Sequence, residues 1–319
     1  MLCWGSWSNT QKLAGRTWPF QLYYWDYSIG VLSFALVLAF TLGSTGSAGR
    51  AFLADLAQAY PKWLGSAFAG GVIFTLSNIL LVAAIDIAGM AVAFPLGVGL
   101  ALVLGVITTY LATGAGNAPM LAAGVTGVMI AIILDAVAYK RLASASQQAP
   151  IRGIALSIVA GVLMGWFYSF VARSMGTVDQ NTHELTPGKL SSYTALVIFS
   201  LGLFLSNFLW NSIVMARPFQ GAPVSYREYW TKGNVRLHFI GILGGVIWNC
   251  GMALSIIAGG AAGQALSYGL GQGATMVGTV WGVFVWKEFK GAPQGTGRLL
   301  GAMFLFYLIG IAILITSKL

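Results

Sequence analysis

A chain of 319 residues that is 57% hydrophobic and 8% charged, with a mean hydropathy of +0.80, lies far from a soluble domain, where about 25% of residues carry charge. A net charge of +9 would suggest nucleic acid in a soluble protein. Here the basic residues sit in short stretches between apolar runs, the pattern of loops in a polytopic membrane protein, and no nucleic acid is expected. The two cysteines, Cys3 and Cys250, both lie in apolar runs, which excludes a disulfide framework or a CxxC centre.

Crossing a bilayer takes about 20 apolar residues. Residues 1–13, MLCWGSWSNTQKL, fall short of that and lack the basic segment that opens a signal peptide. Full spans are predicted near 26–44, 64–86, 89–113, 118–139, 152–173, 190–215, 237–258, 261–286 and 297–317, nine in all. Between the first two, residues 50–59 form an amphipathic stretch suited to the outer membrane surface, with a polar linker as the alternative. The 141–151 stretch, with its Ser/Gln run, reads as a cytoplasmic linker. The 174–189 loop, with Asp179, His183 and Glu184, reads as solvated, and His183 as a loop residue rather than a metal ligand.

Residues 70–106 recur without a gap at 244–280. Gly70-Gly71-Val72-Ile73 returns as Gly244-Gly245-Val246-Ile247. Ala84, Ala88, Gly89, Ala91, Leu96, Gly97 and Gly99 return as Ala258, Ala262, Gly263, Ala265, Leu270, Gly271 and Gly273. With Leu80/Leu254, Val103/Val277 and Val106/Val280, 14 of 37 positions are identical. Two copies of one apolar unit suggest a carrier with a site near the middle of the membrane. The expected organisation is a first five-helix repeat over 1–140, the 141–151 linker, and a second five-helix repeat over 152–319. An odd helix number inverts the second copy. Because that copy opens on a full helix, residues 1–13 are expected to be the tail of a truncated first helix that starts roughly a dozen residues upstream. An interfacial stub is the alternative. The fold class is therefore an all-α polytopic membrane protein, a ten-helix inverted-repeat transporter of five plus five helices.

With the fragment counted as helix 1, the odd loops hold Lys12, Arg16, Lys140, Arg141, Arg152, Arg217, Arg227, Lys232, Arg236, Lys287, Lys290 and Arg298. The even loops and the C-terminus hold Arg50, Lys62, Arg173, Lys189 and Lys318. This bias places the odd loops in the cytoplasm and both termini outside a cytoplasmic (inner) membrane.

Phe94-Pro95-Leu96-Gly97-Val98-Gly99 aligns with Tyr268-Gly269-Leu270-Gly271-Gln272-Gly273. Proline frees a carbonyl and glycine permits close approach, and helices interrupted at matching places mark carrier binding sites. Neutral amides in the spans are Asn78, Asn207, Asn211, Asn249, Gln264 and Gln272. They suit a neutral polar solute, or they bond helix to helix. Trp4, Trp7, Trp166, Tyr168, Trp248 and Tyr268 offer stacking faces, whereas Trp18, Trp25 and Trp63 read as interfacial anchors. A carboxylate in a span is a functional candidate, so Asp135, Asp26 and Asp86 are the proton-coupling candidates. Asp135 has pairing with Lys140 as its alternative role. Asp26 has capping of a helix that it opens. Glu288 reads as interfacial. No P-loop, Ser/His/Asp or Cys/His arrangement or paired catalytic carboxylates are present, so neither an enzyme, a cofactor nor a metal is expected.

The stretches Cys3-Trp4-Gly5-Ser6-Trp7, Tyr24-Trp25-Asp26-Tyr27-Ser28, Ala39-Phe40-Thr41-Leu42-Gly43, Gly260–Gln264 and Trp281-Gly282-Val283-Phe284 resemble ureide permeases and their bacterial relatives. Trp286-Lys287-Glu288-Phe289-Lys290-Gly291 also resembles the L-rhamnose–proton symporters. Both groups belong to the drug/metabolite transporter superfamily. The resemblance implies ten helices in an inverted repeat, a central cavity and uptake coupled to protons. The expected function is secondary active, proton-coupled uptake of a small neutral polar solute, a sugar first. Ureide, nucleobase or nucleoside uptake, or export of a drug or metabolite, is the alternative. The partners are then the solute, a proton or another cation, and the lipid bilayer. A non-transporting scaffold predicts an apolar interior, which six span amides argue against.

Overall fold

The computed structural model describes residues 1–15, 18–45, 50–88, 93–114, 117–142, 150–178 and 185–316, and among them it is helical, with two isolated bridges, Met175 to Leu190 and Val178 to Leu185. The helices are α1 (Leu2–Ser6), α2 (Ser8–Ala14), α3 (Phe20–Phe40), α4 (Phe52–Gln58), α5 (Pro61–Ala88), α6 (Leu100–Thr113), α7 (Ala118–Leu142), α8 (Ile151–Ser174), α9 (Ser192–Ala216), α10 (Tyr226–Lys232), α11 (Val235–Ala262), α12 (Gln264–Gly271), α13 (Ala274–Val280) and α14 (Thr296–Thr316). Among the described residues, eight helical segments are long and apolar enough to cross a bilayer: Phe20–Ser44, Pro61–Ile85, Leu96–Thr113, Ala118–Leu142, Ile151–Ser174, Ser192–Ala216, Val235–Ala262 and Thr296–Thr316. The chain is an all-α polytopic membrane protein. Residues 179–184, with Asp179, His183 and Glu184, lie outside the described residues, as do Arg16, Lys318 and most of the 141–151 stretch.

Two expected spans have a different local form. The 261–286 run is not one helix. Gly263, at φ +91°, stands where L side chains are strained, and α12 starts after it. Gln272 and Gly273 separate α12 from α13, and Trp281–Val285 form π-helical turns. In the first copy the described part of the 89–113 run begins at Ala93, and Phe94–Gly99 is π-helical with Pro95 in its first turn. A third difference is the start of α3. Pro19, at φ −56°, begins the helix at Phe20, so Asp26 lies inside it and caps nothing.

The chain packs as two compact units, Met1–Ser6, Leu76–Trp166 and Ala262–Leu319 in the first, and Trp7–Thr75 and Phe167–Ala261 in the second. Each unit draws segments from both sides of the 141–151 stretch. In the first, α7 and α14 run against each other through small residues, and a Cβ on Gly127 would stand 2.9 Å from Gly310 Cα. Tyr268 of α12 fills the space over Gly105 of α6, and its hydroxyl donates to the carbonyls of Ala101 and Met164, both at 3.2 Å.

In the second unit, matched residues of the two copies make matched contacts. A Cβ on Gly245 would stand 2.0 Å from Tyr27 O and 2.7 Å from Val31 N, and one on Gly71 would stand 2.0 Å from Phe199 O and 2.6 Å from Leu203 N. Conversely, a Cβ on Gly30 would meet Ile242 O at 2.1 Å, and one on Gly202 would meet Phe68 O at 2.2 Å. Asn249 Nδ2 donates to Val31 O at 2.6 Å, and Thr75 Oγ1 to Leu203 O at 3.2 Å. The α5 and α11 residues pair with the 174-residue offset of the repeat. Those of α3 and α9 pair with an offset of 172, which two copies of the same helix contact produce after a short change in loop length.

The 50–59 stretch is fastened to protein. Asp55 of α4 is wholly buried; it accepts from Arg50 Nη1 at 2.9 Å, Gln58 Nε2 at 3.2 Å and the Ser191 backbone N–H at 2.8 Å. Gln58 also donates to Lys189 O and accepts from Gly188 N. This polar staple ties α4 to the segment that leads into α9. The ammonium groups of Lys62 and Lys189 lie over the Trp63 ring at 4.7 and 4.6 Å.

The matched backbone contacts make a symmetrical prediction. Valine at Gly71 or at Gly245 abolishes the monodisperse peak in size-exclusion chromatography in detergent. Valine at Gly65, which has open space around it, leaves the peak unchanged.

Candidate functional site

Two pairs of equivalent residues build an aromatic cluster in the second unit. Phe74 and Trp248, one from each copy, have ring centroids 4.5 Å apart. Phe199 and Tyr27 close the cluster. Trp248 lies 6.2 Å from Tyr27 and 6.0 Å from Phe199, and Phe74 lies 5.8 Å from Phe199. Trp7 reaches Tyr27 at 5.1 Å. The helices approach through glycine, which brings these large side chains together from four helices.

Three asparagines surround α3 in this unit. Asn249 donates to Val31 O, Asn207 to Ser28 Oγ at 3.1 Å and Asn211 to Gln21 O at 2.8 Å. Each amide nitrogen ties a helix to α3. Each amide oxygen, and the Tyr27 hydroxyl, is buried without a hydrogen-bond partner. Trp210 Nε1 is a fifth such atom in this unit. A buried unsatisfied polar atom costs about 1–3 kcal/mol, so these five call for a ligand, a water or a second state that pairs them.

The second cluster surrounds Asp26, which is 1% exposed. Its Oδ1 accepts from the Tyr229 hydroxyl at 2.5 Å and lies 2.9 Å from His238 Nδ1, while Oδ2 accepts from Trp18 Nε1 at 3.3 Å. The three rings also touch one another, at 4.7 to 5.8 Å. Gly241 makes room, since a Cβ there would stand 2.4 Å from Asp26 Cβ. Tyr229 belongs to the short helix α10, whose capping box joins Ser225 and Glu228. Burial, then its bond to the Asp26 carboxylate, raise the Tyr229 hydroxyl above its ordinary pKa and keep it a donor. Trp18 is therefore not an interfacial anchor but a buried donor. Trp25 is also buried, with its indole N–H 3.2 Å from Met215 Sδ.

The third cluster is in the first unit. Asp135 is wholly buried; its Oδ1 accepts from Thr279 Oγ1 at 3.1 Å, and Oδ2 has no partner. Lys140 is exposed and makes no ion pair with it. Tyr139, one turn on, donates to Glu288 Oε2 at 3.2 Å.

Of the residues singled out from sequence, Trp7, Tyr168, Asn207, Asn211, Trp248 and Asn249 belong to the second unit, with Tyr168 Oη 3.2 Å from Ser255 Oγ. Asn78, Trp166, Gln264, Tyr268, Gln272 and the Pro95 turn belong to the first. Trp166 is 49% exposed, and Tyr268 is wholly buried. Asp86 lies in α5, with its side chain outside the described residues, as is that of Pro95. His238 and Tyr229 were not expected. Their only sequence signal is weak: His238 is one of two histidines and stands at the start of a span.

A family model described as ureide permease matches residues 23–150 and 136–317 of this chain. Ureide permease 1, 2 and 5 of Arabidopsis thaliana are 25%, 26% and 24% identical to it. The alignments span 98%, 100% and 99% of this chain and 94%, 95% and 92% of theirs. A solved crystal structure matches with a TM-score of 0.58 at 17% identity, over 98% of this chain and 92% of that one, a likeness of fold alone.

The Asp26 cluster is testable without a solute. Tyr229→Phe removes a bond to a charged group and costs about 1.5 kcal/mol, the low end of its class because Tyr229 is half-buried. The expected result is a lower melting temperature and faster tryptic cleavage at Arg227 and Lys232, read by mass spectrometry.

Proposed function

The chain belongs to the ureide permease family, and from that premise we propose that it takes up a small, neutral solute of the ureide class by secondary active transport coupled to protons. Members of that family are transporters rather than enzymes, and the apolar helices make this chain a multi-pass membrane protein. A ureide is a flat acyl urea with several N–H donors beside its carbonyls. The observation that carries the reading is the set of amide oxygens on Asn207, Asn211 and Asn249, buried without partners in the same unit as the Phe74–Trp248 cluster. Amide oxygens accept from N–H groups, and aromatic faces stack on flat solutes. A sugar, the first expectation from sequence, presents hydroxyls on a puckered ring and fits this set less well. The relatives' names also favour ureides.

Asp135 is the proton site in this reading, because among the described residues it is the acid with a buried oxygen that has no partner. Asp26 has three donors and serves to hold α10 on α3 and α11. The matched contacts of Gly71 with Gly245 and Gly30 with Gly202 support two inverted repeats of five helices, the arrangement that lets a carrier alternate. The inner membrane, with both termini outside, remains the orientation that loop charge favours.

Uptake in proteoliposomes tests the proposal. With a pH gradient imposed, labelled allantoin accumulates and a protonophore stops it, while L-rhamnose does not accumulate. Asn249→Thr copies the equivalent Thr75, so it keeps a hydroxyl donor for Val31 O but loses the amide oxygen. It folds, and its KM for allantoin rises about tenfold, the loss of one good hydrogen bond. Accumulation of rhamnose without allantoin overturns the substrate class.

A further inference from the structure

The inference here rests on the reading of the chain as a proton-coupled carrier and names the route by which the proton arrives. We propose that Glu288 and Tyr139 form a relay that loads a proton onto Asp135.

Three observations place the relay. Asp135 is wholly buried with Oδ2 unpartnered, and Thr279 donates to Oδ1 alone, so the carboxyl group has one oxygen free to take a proton. Tyr139 follows four residues later on α7. Residues four apart share one face of a helix, so Tyr139 and Asp135 lie on the same side of α7, one turn apart. The chain after α13 is then folded to bring an acid to that tyrosine. The π-helical turns Trp281–Val285 end in a Trp286 N–H bond to Trp281 O, and Lys287 takes φ +52°. Glu288 N then bonds to Gly282 O at 2.9 Å. A Cβ on Gly282 would stand 2.9 Å from Glu288 Oε2 and 3.3 Å from the Tyr139 hydroxyl, so glycine there is what lets the two groups meet. Tyr139 also packs on Phe289 at 5.1 Å between ring centroids, which fixes its ring beside the turn.

The step balances without a charged tyrosine. Water outside the span gives a proton to Glu288. Glu288 passes it to the phenol oxygen of Tyr139 as that phenol, turned from the acceptor it has here, gives its own proton to Asp135 Oδ2; Oδ2 has no hydrogen-bond partner in this state, so the hand-off takes a side-chain rotation that brings the two oxygens together. Tyr139 begins and ends neutral, and the negative charge moves from Asp135 to Glu288, which lies beyond the last helical turn. The titratable and charged groups around Asp135 are few. Tyr139, and then Lys140 and Arg141, follow it on α7; Tyr307 comes from α14 and Glu288 from the turn, where Lys287 and Lys290 flank it. From α13 it meets the hydroxyl of Thr279.

The test compares two solute movements in proteoliposomes. Proton-driven accumulation of labelled allantoin needs loading and unloading of the proton, whereas counterflow against internal allantoin needs no net proton movement. Asp135→Asn loses accumulation by about tenfold or more while counterflow continues. Tyr139→Phe and Glu288→Gln also keep counterflow, and slow proton-driven entry by about tenfold, as expected for loss of a proton-transfer group. Unchanged accumulation in Asp135→Asn, or unchanged proton-driven rates in both other variants, overturns the relay. A second measurement needs no solute: infrared spectra of the purified protein titrated from acid to alkaline. A protonated-carboxyl band is expected that Asp135→Asn removes. If all four proteins show the same bands, the relay is wrong whatever the solute. If the unaltered protein exchanges no ureide yet shows the Asp135 band, the substrate reading fails and the proton site stands.

Discussion

Hydrocarbon offers no water to a polar atom, so each buried N–H, hydroxyl or carboxylate in this chain must find a partner within the protein or remain costly. That constraint separates its buried polar groups into two kinds. Asp55 and Asp26 have every strong interaction filled: the first by Arg50, Gln58 and the Ser191 N–H, the second by Tyr229, His238 and Trp18. Both join segments distant in sequence. Asp135 Oδ2, the three asparagine oxygens, the Tyr27 and Thr109 hydroxyls and the Trp210 indole N–H are buried and unfilled. Groups of the first kind hold the fold. Groups of the second kind are tolerable only if another state of the molecule, a water or a bound solute pairs them.

The helical class was legible because periodicity is not needed to see it. A run of about 20 apolar residues has one stable form in a bilayer. The interruptions were legible too, from Pro95 and from the Gly271-Gln272-Gly273 turn. Their form was not, since whether a helix widens into π-helical turns or breaks at a glycine depends on what packs against it. The error at α3 has a similar cause. Phe20 to Trp25 are apolar enough to extend the helix, but the polar Gln21 and Asp26 made the boundary look later than Pro19 sets it.

The candidate clusters were legible only in part. Asn207, Asn211, Trp248 and Asn249 could be named because polar and amphipathic side chains in spans are rare. What they touch could not, because Val31, Ser28 and Gln21 come from more than 170 residues earlier. Trp18, Tyr229 and His238 were missed or misread for the same reason. A tryptophan near a span end has the composition of an interfacial anchor, and only the fold of α10 and α11 onto α3 makes it a donor to Asp26.

The repeat explains why the aromatic cluster has the shape it has, and where its two sides differ. Phe74 with Phe199 and Trp248 with Tyr27 are the same contact made twice, and the Thr75 and Asn249 bonds to α9 and α3 are its polar counterpart. A perfectly symmetrical pair would present the same face twice and would bind an asymmetrical solute poorly. The copies differ at these positions: Phe and Thr in one, Trp and Asn in the other, against Phe199 in one and Tyr27 in the other. The differences all add polar atoms to one side. Symmetry supplies the packing, and its breaking at Trp248, Asn249 and Tyr27 supplies the hydrogen-bonding face.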